Sequence, residues 1–271
     1  DRTSAEASTV IDAEQISELP NNGRDWASFT LLAPFAQDDG GGDQRTIRFA
    51  GRARDDNNFS FDGVDAGGIQ EQAQKSQTRL QISQDAIEEY RVNSALYDAE
   101  YGTQAGGQID VVTKSGTNEF HGALHVQYTG QGWRAKTPAA TNAPEKEDTQ
   151  ERDYGVALGG PILQDRMHFF FTYEAKDYVT PVTVVPGTPA PGPLPPEALA
   201  QTGPTSIPFN QDLYFGKIDW EPSDFDLVEL TGRYRKEAQR DNVGGTQVPA
   251  FGSDIVNDEK RADLRWQHTS D

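Results

Sequence analysis

From residue 119 onward, hydrophobic and polar positions alternate with a period of two. Phe120, Leu124, Val126 and Tyr128 fall on one side of their run, and His121, His125 and Gln127 on the other. Tyr154, Val156 and Leu158 oppose Asp153 and Gly155; Met167, Phe169, Phe171 and Tyr173 oppose His168, Thr172, Glu174 and Lys176. Three more runs, around Tyr214–Trp220, Val228–Tyr234 and Ala262–Trp266, repeat the pattern with Lys217, Asp219, Glu229, Thr231, Arg233, Arg235, Arg261, Asp263 and Arg265 on the polar side. Because side chains alternate faces along a strand, each run predicts a β-strand with one apolar and one charged face.

Residues 1–118 read differently. Asp12 precedes Ala13-Glu14-Gln15 and the apolar Ile16 and Leu19, a capped helical turn that Pro20-Asn21-Asn22-Gly23 interrupts before Trp26, Phe29, Leu31 and Leu32. Residues 46–51, 58–63 and 107–113 predict short strands, and Ser83 followed by Asp85, Glu88 and Glu89 predicts a helix start. The expectation is an α+β domain over 1–118, followed by antiparallel β-strands of an incomplete transmembrane β-barrel over 119–271.

A soluble β-sandwich also alternates, so the connectors decide. Long loops over 129–151, 179–211 and 238–258 are separated by tight turns at 159–165 and 221–224. Short turns on one side and long loops on the other are the habit of outer-membrane barrels. Aromatics (Tyr128, Trp133, Tyr173, Tyr178, Trp220, Tyr234) sit near run ends, where such barrels carry their girdles. The Pro- and Gly-rich stretch Thr180–Pro208 reads as an irregular external loop.

Composition narrows the functional classes. The net charge of −19 opposes binding to phosphate backbones, so no nucleic-acid partner is expected. A mean hydropathy of −0.72 excludes a helical membrane protein but leaves a barrel open, since barrel strands are only half apolar. The absence of Cys removes disulfide frameworks and thiolate metal sites. Asp1 in place of a starting Met, and an end at Asp271 just after a strand pattern, suggest a piece of a longer chain.

Candidate chemistry is sparse. His121 and His125 share a strand face but stand ~13 Å apart along it, so they read as lumen-facing polar residues and not as one metal site. Gly-x-Ser-x-Gly is absent and no Ser–His–Asp order is defensible, so we expect no enzyme and no cofactor. Asp38-Asp39-Gly40-Gly41-Gly42-Asp43 and Asp55-Asp56-Asn57-Asn58 are acidic turns without the spacing of a calcium loop. Arg45, Arg48, Arg52 and Arg54 cluster close to them in sequence.

Leu19-Pro20-Asn21-Asn22-Gly23-Arg24-Asp25, Phe59-Ser60-Phe61-Asp62-Gly63-Val64-Asp65, Ala86-Ile87-Glu88-Glu89-Tyr90-Arg91-Val92, Tyr97-Asp98-Ala99-Glu100-Tyr101-Gly102 and the run Gly106 to Gly122, in this order, resemble the plug of TonB-dependent outer-membrane receptors, Oar-like branch. Gly159-Gly160-Pro161-Ile162 followed by Asp165-Arg166 resembles that branch's first periplasmic hairpin. The resemblance implies a plug over 1–118 seated in a barrel of about 22 strands, of which 119–271 would supply the first. It implies a place in the bacterial outer membrane, in contact with its lipid. It also implies energy coupling by TonB-ExbB-ExbD, through a TonB box not present in this chain, and passage of a large ligand (siderophore, glycan or peptide/protein).

Candidate ligand contacts on apical plug loops are then Asp38, Asp39, Asp43, Arg52, Arg54, Asp55, Asp56, Asn57 and Asn58, with the nearby arginines read as plug–barrel ion pairs. The plug–barrel junction is Thr113, Lys114, Ser115, Gly116, Thr117 and Asn118. Related receptors carry Ile-Glu-x-Ile-Glu-Val where this chain has Arg91 at the fifth place. Charges lining a wet plug interface, with no dry core across it, are expected. The alternative is a soluble or surface-attached glycan-binding or adhesion module built on a β-sandwich.

Overall fold

The computed structural model describes residues 7–38, 47–52, 57–65, 82–95, 106–135, 148–185, 187 and 195–270. Strand β1 (Ala7–Asp12) runs into helix α1 (Ala13–Glu18). The Asp12 carboxylate accepts from the Gln15 amide at 2.9 Å and the Gln15 side chain accepts from the Asp12 amide at 3.3 Å, a reciprocal cap on an otherwise marginal helix. After the Pro20 break, a 3₁₀ helix (Trp26–Leu32) turns Trp26 and Phe29 into the core, where the Trp26 indole donates to the Ile82 carbonyl at 3.1 Å.

Strands β2 (Ala36–Asp38) and β3 (Ile47–Phe49) pair with each other. Strands β4 (Asn58–Phe61), β5 (Val64–Asp65), β6 (Ile87–Ala95) and β7 (Gln108–Thr113) join β1 in a mixed sheet of order β1-β6-β7-β4-β5. The β4–β5 turn is Asp62-Gly63, with φ of 50° and 79°, the positive pair that a two-residue hairpin requires.

The helix expected after Ser83 does not form. Ser83 caps as anticipated, accepting from the Asp85 amide at 3.1 Å, but the cap starts only a 3₁₀ turn (Gln84–Ala86), and the chain then becomes β6. β6 lies between β1 and β7, and pairing on both edges outweighs the local helical signal.

The six remaining strands, β8 (His121–Gly130), β9 (Gln150–Leu163), β10 (Met167–Val184), β11 (Gly203–Ser223), β12 (Asp226–Asp241) and β13 (Ser253–His268), form one antiparallel sheet in chain order. It does not close. Among the described residues β8 and β13 each keep one unpaired edge.

The strands are longer than the alternating runs. The β10–β11 ladder extends from Met167–Trp220 to Val184–Gly203, so the loops expected at 179–211 and 238–258 shrink to 185–202 and 242–252. Beyond Tyr178 the ladder continues through Val179, Pro181, Val182, Ile207 and Pro208, where the strict alternation of apolar and polar side chains is lost but the backbone pairing is not.

One face of this sheet is apolar and bare. Phe120, Leu124, Val126, Leu158, Leu264 and Trp266 are 45–79% exposed. No second sheet covers them among the described residues, whereas a β-sandwich would pack one there. Tyr173, Tyr214 and Tyr234 lie in one cross-strand row, with ring centroids 4.7 and 5.6 Å apart. The hydroxyls of Tyr173 and Tyr234 donate outward to Asp212 (2.9 Å) and Asp258 (3.4 Å). Trp220 and Trp266 mark the opposite margin, beside the short turn. These rows bound an apolar belt in the manner of aromatic girdles. Tyr178, expected in a girdle, instead faces the N-terminal unit, its hydroxyl 3.5 Å from the Gly23 carbonyl.

Candidate functional site

The charged face of the sheet receives the N-terminal unit, and the contact is partly dry. Ala157, Phe170 and Phe215 belong to the same buried cluster as Trp26, Phe49, Phe61, Tyr90 and Val92. This corrects the expectation of a purely wet interface. On the inner face Phe170 lies between His168 and Thr172, and Phe215 between Leu213 and Lys217, apolar exceptions on a largely polar face.

Around that patch lie two ionic networks. In the first, Arg24 reaches Asp85 at 2.8 Å and Glu174 at 3.2 Å. His125 sits 3.0 Å from Asp85 through Nδ1 and 3.0 Å from Asp153 through Nε2. Lys176 is 3.2 Å from Glu174 and 3.8 Å from Asp153, and donates to the Gly23 carbonyl at 2.6 Å. The Ser83 hydroxyl donates to Glu174 at 2.7 Å. Gly23 adopts φ 66°, and a Cβ there would approach the Tyr178 hydroxyl to 3.1 Å. Gly155 is bare because the His125 ring lies on it; a Cβ would stand 2.5 Å from Cε1.

Burial by itself would lift the Asp85 carboxyl. The hydrogen bond from His125 and the charge of Arg24 outweigh it and hold the pKa at about 2. Burial likewise opposes the Arg24 charge, but Glu174 and Asp85 overcome it and push its pKa up.

Asp85, His125 and Glu174 each place a ligand atom within 4.8 Å of the others, close enough for a metal ion. Their chemistry argues otherwise. Arg24 and Lys176 already occupy the carboxylate oxygens an ion would use, so the cluster is an ion-pair network.

The second network grips the β4–β5 turn. Lys217 lies 3.3 Å from Glu229, 3.8 Å from Asp62 and 3.4 Å from the Thr113 hydroxyl. Arg265 pairs with Glu229, and the Arg233 guanidinium stands 4.6 Å above the Phe61 ring. Beside it opens a recess of about 640 Å³ lined in part by Asp62, Glu88, Val112, Lys217, Glu229 and Arg265.

The residues 113–118 tie the two regions together. Thr113 binds Asp62 through its amide (2.9 Å) and hydroxyl (2.6 Å), and the Lys114 amide donates to Ala86 at 2.8 Å. A Cβ on Gly116 would fall 2.2 Å from the Phe169 carbonyl oxygen, so only glycine fits against β10. The Thr117 hydroxyl donates to the Glu119 carbonyl at 2.9 Å. Asn118 donates to the Asp165 side chain at 2.6 Å and accepts from its amide at 2.8 Å, pinning the short β9–β10 turn. Ser115 hydrogen-bonds Asp219.

The candidate ligand contacts are placed only in part. Asp39, Asp43, Arg54, Asp55 and Asp56 lie outside the described residues, as does Arg45. Asp38 ends β2, Arg52 is exposed, and Asn58 opens β4 half-buried. Asn57 is 2% exposed; its amide donates to Ile47 at 2.9 Å and its carbonyl accepts from Gly107 at 3.0 Å, so it braces the fold from a buried position. Arg24, Asp85, Asp153, Glu174 and Lys176 escaped sequence reasoning as a site. Each was visible singly, as a motif residue or a polar-face charge, but the spacing carries no sign that they converge. The four histidines contact different groups: His121 stacks on Phe170, His168 meets Asn118 and His268 meets Asp226.

An open antiparallel wall, apolar outside and holding an α+β unit on its charged inner face, defines an outer-membrane barrel segment. The profile of the family described as "Outer membrane beta barrel domain" matches residues 112–191. The chain is 29% identical over 152 residues to the TonB-dependent transporter Oar of Myxococcus xanthus, covering 54% of this chain and 14% of that protein. Its fold matches the outer membrane transporter YddB of Escherichia coli (TM-score 0.72, 15% identity, 97% of this chain and 37% of that one). It also matches a mutant of the ferric enterobactin receptor PfeA of Pseudomonas aeruginosa (0.68, 15%, 100% and 39%). A third match is the siderophore receptor PirA of Acinetobacter baumannii (0.58, 18%, 86% and 32%).

The chain thus spans 14% of the curated relative and between 32% and 39% of these solved chains. Sequence and fold together bear out the resemblance read from the motifs, to TonB-dependent receptors of the Oar-like branch, and the chain's place is the bacterial outer membrane.

Proposed function

We propose that this chain supplies the plug (1–118) and the opening wall strands (119–271) of a TonB-dependent receptor that carries a large ligand across the outer membrane. The observation behind this reading is the two-sided wall: one face made for hydrocarbon, the other fastened to a folded unit by ion pairs and a small dry patch.

In this reading Asp38, Asp39, Asp43, Arg52, Arg54, Asp55, Asp56 and Asn58, with the wall loops 185–202 and 242–252, meet the ligand. TonB, driven by ExbB-ExbD, acts through a TonB box outside this chain. Force on the N-terminal side works against the Arg24 and Asp62 networks. These ion pairs are buried, so they separate only as water reaches the charges, and they re-form when it leaves.

Siderophores are the ligand class to test first, because PirA and PfeA are named for them. The full-length parent should fractionate with the outer membrane and take up a labelled ferric siderophore only in cells with intact TonB. Recovery as a soluble protein, or uptake indifferent to TonB, overturns the reading.

A further inference from the structure

The first ionic network has a charge balance that its geometry dictates. Among the described residues, three carboxylates, Asp85, Asp153 and Glu174, meet two permanent cations, Arg24 and Lys176. Each carboxylate oxygen has a donor group within 3.8 Å: those of Asp85 meet Arg24 and His125, those of Asp153 meet His125 and Lys176, and those of Glu174 meet Lys176 on one side and Arg24 with Ser83 on the other, the two Lys176 contacts being ion pairs without a hydrogen bond. The set lies at the seam, with Glu174 fully buried and Asp153 and Lys176 almost so. Two cations leave it one negative charge in excess, and an uncompensated charge at such a place is costly.

Among the described residues, His125 is the remaining titratable side chain in ion-pair contact with these carboxylates. Its two ring nitrogens point at two different carboxylates, Asp85 of the N-terminal unit and Asp153 of β9, each at 3.0 Å. A carboxylate can only accept. A neutral imidazole has one donor and one lone pair, so one of the two contacts would set a lone pair against a carboxylate oxygen. Only the imidazolium donates to both.

We propose that His125 is held as an imidazolium that neutralises this network and fastens the N-terminal unit to the wall, making it a proton-operated latch. Asp85 faces it from the 3₁₀ turn Gln84–Ala86, Arg24 from the short turn Asn22–Arg24, Asp153 from β9, and Glu174 and Lys176 from β10. Losing the proton breaks one of the two bonds and restores the excess negative charge at the seam. The latch therefore holds below the imidazolium's titration and loosens above it. The inference rests on the packing of the two regions and not on transport.

The test uses the full-length receptor in detergent. Selectively ¹⁵N-labelled histidine, assigned by loss of the signal in His125→Gln, should show both ring nitrogens of His125 protonated at pH 7. Hydrogen exchange over residues 82–92, compared at each pH with His125→Gln so that intrinsic exchange cancels, should be about tenfold slower in the native protein at pH 7, a difference of about 1.4 kcal/mol. The two proteins should converge at alkaline pH. A single protonated nitrogen at pH 7, equal exchange in the two proteins, or a stoichiometric metal ion at Asp85, His125 and Glu174 would each overturn the proposal. All of these readouts are independent of uptake, so a failure of the transport reading leaves them interpretable.

Discussion

The N-terminal unit and the wall are built inside out relative to each other. The first hides Trp26, Phe49, Ile87, Tyr90 and Val92 at 0–1% exposure and shows its charges. The second shows Leu124, Leu158 and Leu264 and hides Glu174, Lys176, Lys217 and Glu237 at 0–5%. Both use the same rule, alternation along a strand, against different solvents. For the unit, water is outside and its own core is inside; for the wall, hydrocarbon is outside and the unit is inside. Hydrophobicity alone therefore does not say which face of an element is the interior. The solvent on each side does.

The sharpest break in that comparison is Trp26→Ala. It empties the centre of the N-terminal core and leaves the Ile82 carbonyl without its indole donor, at about 3–5 kcal/mol. Hydrogen exchange should rise throughout β6 and β7 while the ladder β9–β12 stays protected. Uniform loosening of both regions would show that they fold as one body.

The mirror experiment on the wall is Leu158→Arg, which places a charge between the two aromatic margins. The cost is about 2–4 kcal/mol when the chain is refolded into bilayers. The same substitution should cost little in a detergent that lets the guanidinium reach water. A large penalty in both would mean that Leu158 packs against protein.

Acid sharpens the seam between the regions. The Asp85 pKa is depressed to about 2 from 3.8, so its contribution is complete above about pH 4 and is lost as the pH falls towards 2. That contribution is ~2 kcal/mol. Asp85→Asn should remove this acid limb from a pH series of hydrogen-exchange protection in the N-terminal unit and leave the rest of the profile in place. An unchanged acid limb would assign it to other carboxylates.

The smallest effect belongs to Arg91→Ala. Arg91 and Glu89 pair at 3.0 Å with 49% and 35% of their side chains exposed, and such surface pairs are worth about 0.2–1 kcal/mol. A loss comparable to that of Asp85→Asn would mean that Arg91 meets a wall strand beyond those seen here.

Much of this architecture is legible in the residues because its physics is local. The cap at Asp12, the Asp62-Gly63 turn and the six alternating runs each depend on neighbours a few positions away. The helix expected at Ser83 failed because β6 has a partner on each edge, and neither partner is adjacent in sequence. The strand ends were misplaced for a related reason, since the strict alternation of apolar and polar side chains stops short of the end of the ladder.

The sequence by itself determined which side chains can bear lipid and which cannot, since that is set by period and polarity. Only the tertiary structure decided that Arg24, Asp85, His125, Asp153, Glu174 and Lys176 form one network. Electrostatic contact depends on distances of 3–4 Å between residues up to 150 positions apart, and nothing in the order of residues along a chain encodes those distances.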